Sequence, residues 1–204
     1  MYGHILKDSF LLDKNIINFN HGSFGAVAKP IFNEHMKLLL EQENYPEIWF
    51  RKTIYNYNDR SREIISKLIN GNINDIVLVE NASSAINSIL RSYKFHVNDK
   101  IIVFSTIYKM CSDTITRLLT NLTNVTVCEI PIQYPINNEN QLIDSFINFL
   151  DNYNNDNNGI IRMAIFSHIS SMPTMIEPIE KLTKIAKSKG IIVIIDGAHA
   201  VSIY

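Results

Sequence analysis

The residues best placed to do chemistry lie near the end of the chain, where the apolar run Ile191–Ile195 leads into Asp196-Gly197-Ala198-His199. A strand that delivers a carboxylate at its C-terminal end sets that charge where open α/β sheets bind ligands. Burying an ionised Asp is costly unless a cation or a strong donor meets it, and a protonated pyridine nitrogen is such a donor. The competing reading makes Asp196 the cap of a following helix, with His199 a structural histidine. The clustering of Asp, Gly, Ala and His in one short run favours a site.

Other segments of matching character precede it. In Glu80-Asn81-Ala82-Ser83-Ser84-Ala85-Ile86-Asn87, small residues at a helix start expose backbone N–H groups, and Ser83 and Ser84 add hydroxyls, so the segment suits an anion. The bland alternative is a plain Ser N-cap. Ser105-Thr106-Ile107-Tyr108 follows another apolar run and offers an aromatic ring, for stacking on a planar ligand or for packing. Ser167-His168-Ile169-Ser170-Ser171-Met172-Pro173-Thr174 is dense in hydrogen-bonding side chains, a composition that turns alone can explain. Polar strand ends converging on one rim are better explained together, as a shared site.

The elements that must position these residues are legible as alternating patterns. Short, nearly continuous apolar runs rich in β-branched residues occur at Ile76–Val79, Ile101–Phe104, Val125–Ile130, Met163–Phe166 and Ile191–Ile195, as expected of strands covered on both faces. Between them, Ala82–Tyr93, Lys109–Leu122, Asn140–Tyr153 and Glu177–Ser188 have helical spacing. This order predicts an α/β fold with a mostly parallel sheet and flanking helices. Upstream, Pro30–Leu40 and Tyr45–Ile69 read as helices, with Pro30 in a first turn and Gly71 as a stop, after an extended arm over Asn15–Gly25. The domain reading is an N-terminal arm with helices over 1–70 and an α/β domain over 71–204. The Asn-rich tract Asn152–Gly159 reads as a low-complexity surface loop.

Composition narrows the function classes. Hydrophobic residues are 46% and charged residues 19% of the chain, which suits a globular domain. With 19 basic and 20 acidic side chains and a formal net charge of −1, no basic field draws the protein to nucleic acid or to a membrane surface. No run approaches the roughly 18 consecutive apolar residues of a membrane span. Cys111 and Cys128 lack Cys-x-x-Cys spacing and read as reduced thiols, and the N-terminal residues lack a leader pattern. The expectation is a soluble, cytoplasmic protein with no assigned metal ligands.

From about Asn18 onward, the order of these motifs resembles the class-V aminotransferase group of fold-type-I pyridoxal-phosphate (PLP) enzymes, in its cysteine-desulfurase-like and isopenicillin-N-epimerase-like branches. The arm Asn18-Phe19-Asn20-His21-Gly22-Ser23-Phe24-Gly25 is similar to an Asn-His-Gly-Ser-Phe-Gly stretch of the epimerase-like branch. The resemblance places Asn20, His21 and Gly22 near substrate. Asn81-Ala82-Ser83-Ser84 resembles the family's Asn-Ala-Thr phosphate segment, with Ser for Thr. The resemblance further implies that Ala82, Ser83 and Ser84 bind the PLP phosphate and that Tyr108 stacks on the pyridine. Ser171 then lies in the loop reaching cofactor or substrate, Asp196 pairs with the pyridine nitrogen, and His199 bonds the phenolic oxygen.

The same resemblance implies an incomplete large domain. The family's Schiff-base lysine lies beyond a further strand after the Asp motif, commonly in a His-Lys pair. Lys109, Lys181, Lys184, Lys187 and Lys189 lack that context, so no catalytic lysine is assigned. In the family's sheet, later strands sit between the Asp-bearing strand and the first strand, so ladder groups are expected to lack partners. The expected function is a PLP-dependent lyase, desulfurase or epimerase-type enzyme on an amino acid or sulfur-containing derivative. Such an enzyme is expected to be homodimeric at full length, and truncated and inactive as this chain. The alternatives are a non-catalytic PLP- or partner-binding remnant and, more remotely, a nicotinamide-dependent dehydrogenase, which lacks a Gly-x-Gly-x-x-Gly turn here.

Overall fold

The computed structural model describes residues 5–122, 125–153 and 159–201. Most of the Asn-rich tract lies outside them. The chain divides into two compact units, Met1–Leu78 and Val79–Tyr204.

In the first unit, Phe10 bridges antiparallel to Ala28, and the intervening arm is not extended throughout. It closes into a turn in which the Phe24 N–H donates to the Asn20 carbonyl at 2.9 Å. Helix α1 (Lys29–Asn44) carries Pro30 in its first turn as expected, because a proline there forfeits no intrahelical bond. The predicted Tyr45–Ile69 helix is built as α2 (Pro46–Ile48), a π-helical turn (Trp49–Thr53) and α3 (Ile54–Leu68). The stop is set by Asn70 as well as Gly71. Asn70 takes the left-handed conformation (φ 51°), and the Gly71 N–H then donates back to the Ser66 carbonyl at 2.8 Å. Arg62 secures the segment after α3, with Nε donating to the Ile76 carbonyl (2.9 Å) and Nη2 to that of Ile73 (2.8 Å).

The second unit is the expected α/β arrangement. Its elements are α4 (Ala82–Ser92), β1 (Lys100–Phe104), α5 (Lys109–Leu122), β2 (Thr126–Ile130), α6 (Asn140–Asn152) and β3 (Ile161–Ser167). A two-residue hairpin, β4 (Ile169–Ser170) and β5 (Met175–Ile176), precedes α7 (Ile179–Ser188) and β6 (Ile192–Asp196). The sheet order is β2-β1-β3-β6, and every ladder in it is parallel.

Alternation along the strands explains their continuous apolar runs. Ile101, Val103, Met163 and Ile165 face one core together with Ile86 and Leu90 of α4 and Cys111 and Ile115 of α5. Ile102, Phe104, Ala164 and Phe166 face the opposite core with Leu142 and Phe146 of α6 and Leu182 and Ala186 of α7. With helices on both faces, neither side of β1 or β3 is free to be polar. At the N-terminal end of these strands, Asp99 is buried and accepts from the His96 N–H (2.8 Å) and from Arg162 (Nη2 to Oδ1, 3.3 Å). Burial opposes ionisation of Asp99, but those two donors outweigh it and hold the carboxyl below its ordinary range.

Two expectations are corrected. Ile76–Val79 forms no strand: Ile76 is extended (φ −97°, ψ 124°), yet the segment pairs with nothing among the described residues and Val77 is 78% exposed. A strand exists through its ladder, and the described sheet offers this segment no neighbour. Likewise α7 begins at Ile179 and not at Glu177, since Pro178 (ψ 59°) holds the entry outside helical geometry. Among the described residues β6 pairs only with β3, and Ile192 and Ile195 are 41% and 40% exposed.

Candidate functional site

Parallel pairing puts the C-terminal ends of all the main strands on one rim. Ser167 of β3 lies in register with Asp196 of β6, and Val103 of β1 with Ile165 of β3, so Ser105 and Ser167 come level two residues on. The predicted polar ends at Ser105, Ser167 and Asp196 therefore share one edge, whereas the segment Glu80–Asn87 follows no strand and is not brought to that edge by any ladder.

Asp196 is half-buried. Its Oδ1 accepts from the Ala198 N–H at 3.1 Å, and its Oδ2 accepts from the Cys111 thiol at 3.6 Å. The first bond explains the Gly-Ala spacing after the Asp, because the turn folds the backbone onto the carboxylate that precedes it. The second comes from α5, far away in sequence. Burial, and then the neighbouring Asp196 carboxylate, push the Cys111 thiol up to about 12, so it stays protonated as a donor and is no nucleophile at neutral pH. Asp196 caps no helix among the described residues, and His199 lies in the turn after it, half-buried.

Helix α4 packs Ile86 and Leu90 into the core it shares with α5, and the Asn87 amide, near the helix N-terminus at Ala82, donates to Thr114 Oγ1 of α5 at 3.2 Å. The cap there is Asn81, not a serine: its side chain accepts from the Ser84 N–H at 2.8 Å. The N–H groups of Ala82 and Ser83 have no intrahelical acceptor and, with the helix dipole, favour an anion. Replacing Asn81 with Ala is expected to cost about 1 kcal/mol, read as a lower urea midpoint with an unchanged m-value.

Tyr108 stands at the rim, 45% exposed, and its carbonyl accepts the N–H groups of Cys111 and Ser112 to start α5. Ser171 lies in the β4–β5 turn, where its carbonyl accepts from Thr174 Oγ1 at 3.0 Å. The buried serine of that turn is Ser170, whose hydroxyl donates to the Pro173 carbonyl at 2.7 Å. Asn20, His21 and Gly22 belong to the other unit, in the turn closed by Phe24, with the His21 ring 5.9 Å from that of Phe10. Among the described residues no group of His, Cys, Asp and Glu is arranged to hold a metal, and no helix is long and apolar enough to cross a membrane.

Four of the five lysines considered for covalent chemistry form ion pairs with surface carboxylates. Lys109 pairs with Asp113 (2.8 Å), Lys181 with Glu139 (2.6 Å), Lys184 with Glu180 (2.6 Å) and Lys189 with Asp151 (3.7 Å). One residue near the rim escapes a reading of the sequence. Glu177, which looks like a helix-start residue, is 2% exposed and accepts from Thr106 Oγ1 at 3.0 Å. Its only signal is a carboxylate wedged between the apolar pair Met175-Ile176 and Pro178.

Known proteins are similar to this chain in sequence and in fold. A sequence profile described as aminotransferase class-V matches residues 49–203. Hercynylcysteine sulfoxide lyase of Schizosaccharomyces pombe is 29% identical over 201 residues, covering 98% of this chain and 49% of that protein. L-cysteine desulfhydrase of Arabidopsis thaliana is 26% identical over 195 residues, covering 91% of this chain and 42% of that protein. The chain thus spans about half the length of the curated relatives it matches. The crystal structure of the cystine C–S lyase C-DES in complex with its reaction product cysteine persulfide superposes with a TM-score of 0.80. That comparison covers 92% of this chain and 49% of the other at 15% identity, a likeness of fold.

Proposed function

The chain belongs to the aminotransferase class-V family, and on that premise we propose that its α/β unit is a PLP cradle from an enzyme acting on a sulfur-containing amino acid. The carrying observation is Asp196, a carboxylate at a strand end whose two oxygens are steadied by a backbone N–H and a permanently protonated thiol. Such a group is ready to receive a protonated ring nitrogen and is not itself consumed in a surface ion pair. By the family resemblance, Ala82, Ser83 and Ser84 would hold the phosphate, Tyr108 would stack on the ring, His199 would bond the phenolic oxygen, and Ser171 would border cofactor or substrate.

When bound, PLP supplies an electron sink for a carbanion, and protonation of its ring nitrogen strengthens the sink. Asp196 would keep that nitrogen protonated, and the neighbouring residues would orient the cofactor. The relatives' names, a sulfoxide lyase and a cysteine desulfhydrase, support lyase chemistry at a carbon–sulfur bond. Asn20, His21 and Gly22 are proposed for the substrate side by their likeness to the epimerase-like branch. We assign no Schiff-base lysine, and hence no turnover, to these residues alone. A cytoplasmic homodimer is the setting we infer, the first from the free thiols Cys111 and Cys128 and the second from the family resemblance.

Equilibrium dialysis against PLP tests this. Saturable binding of about one PLP per chain is expected, with borohydride leaving no pyridoxyl group on any lysine of the chain. Absence of saturable binding would sink the cradle, and a pyridoxyl-lysine peptide would overturn the lysine assignment.

A further inference from the structure

Glu177 has no place in the chemistry above, yet it sits where the rim loops meet. Its carboxyl accepts from Thr106 Oγ1 (3.0 Å), two residues before Tyr108. Its own N–H donates to the His168 carbonyl (3.0 Å), and the His168 N–H donates to the Asp196 carbonyl (2.8 Å). A continuous path of hydrogen bonds therefore runs from the loop after β1, through Glu177 and His168, to the strand that ends in Asp196. The second carboxyl oxygen, Oε2, is buried without a partner. An unsatisfied buried polar atom is destabilising, so stability alone does not account for a carboxyl at this position.

We propose that Glu177 is a positioning residue of the cradle, locking the Tyr108 loop to the hairpin that carries Ser171 and, through His168, to the strand that carries Asp196. The identity of what the cradle holds rests on the PLP reading, but the lock does not.

Charge state is part of the device. Burial raises the Glu177 carboxyl to about 7, against the pull of Thr106 and Ser167. The titratable groups around it are the Tyr134 phenol, itself raised by burial and by Glu177, and His168 on the adjoining backbone. Because the folded state favours the neutral acid, this group's contribution is complete in acid. It is lost as pH rises from the ordinary carboxylate range through about 7. An ionised Glu177 must either stay desolvated or open the lock.

The test uses the intact protein with PLP as probe. Wild-type affinity is expected to fall roughly tenfold from pH 6 to pH 8, following the neutral fraction of one group. E177Q keeps the shape and an acceptor for Thr106 but cannot ionise, so its affinity should be flat across that range. T106V should lose about tenfold in affinity and T106S should restore it. A wild-type pH profile in E177Q, or unchanged binding in T106V, overturns the proposal. If the wild type binds no PLP, the PLP reading fails, and hydrogen exchange of the apo protein decides the lock. Amides 105–108 and 168–171 should exchange roughly tenfold faster in E177A than in wild type at pH 6. Equal exchange overturns the lock.

Discussion

Replacing Asp196 with Ala is expected to weaken PLP binding by about a hundredfold, and Asp196→Asn by nearly as much. Truncating one partner of a hydrogen-bonded, desolvated charge pair costs roughly 2–5 kcal/mol, and each 1.4 kcal/mol is tenfold in affinity. The Asn variant separates charge from shape. Its one oxygen can keep the bond from the Ala198 N–H, 3.1 Å long in the native protein, so the turn should survive, while its NH2 takes the place of the oxygen that accepts from the Cys111 thiol at 3.6 Å. What it lacks is the negative charge that keeps a ring nitrogen protonated. Dialysis or fluorescence titration with PLP reads the loss, and unchanged far-UV circular dichroism excludes unfolding. Wild-type affinity in Asp196→Asn would remove Asp196 from the cradle.

Phe166→Ala should be the most destabilising single truncation in the α/β unit, by about 3–5 kcal/mol. Phe166 on β3, Phe104 on β1 and Phe146 on α6 are each 2% exposed or less. Their ring centroids lie 5.3 Å (Phe146–Phe166), 5.5 Å (Phe104–Phe166) and 6.4 Å (Phe104–Phe146) apart. Phe166 contacts both other rings more closely than they contact each other. Its removal opens a void between sheet and helix that neither neighbour can close without leaving its own contact. Domains carry only about 5–15 kcal/mol of net stability, so the loss is a large share. Urea unfolding followed by circular dichroism measures it, and a midpoint unchanged from wild type would refute the packing argument.

How far the sequence carries depends on whether a property is local. The Lys109–Leu122 helix is legible to the residue because apolar periodicity and its ends are written along one segment. The turn after Asp196, closed by a hydrogen bond from the Ala198 N–H two residues on, is not read from the sequence, which offers a ligand-binding carboxylate or a helix cap at that position. Ile76–Val79 has the composition of a strand, but pairing is a tertiary property, and no composition reveals whether a neighbour is there. Cys111 and Glu177 escape for the same reason. One meets a residue 85 positions away and the other a residue 71 positions away, and each gains its meaning only through that partner. The predicted α/β order, and the shared edge of the β1, β3 and β6 ends, succeed because parallel topology follows from the succession of elements alone.

The one-sided pairing of β6 bears on how well its terminal carboxylate can be aimed. Strands β1 and β3 are each gripped by ladders on both sides, whereas Ile192–Asp196 hangs from β3 alone among the described residues. Strand ends held along one side fray at lower free energy than those held along two. The angular spread of Asp196 is then set by the Ser167–Asp196 end of a single ladder, together with the His168 N–H that donates to the Asp196 carbonyl. Any strand added on the open side would narrow that spread, so cofactor affinity and the mechanical stiffness of this edge should rise together.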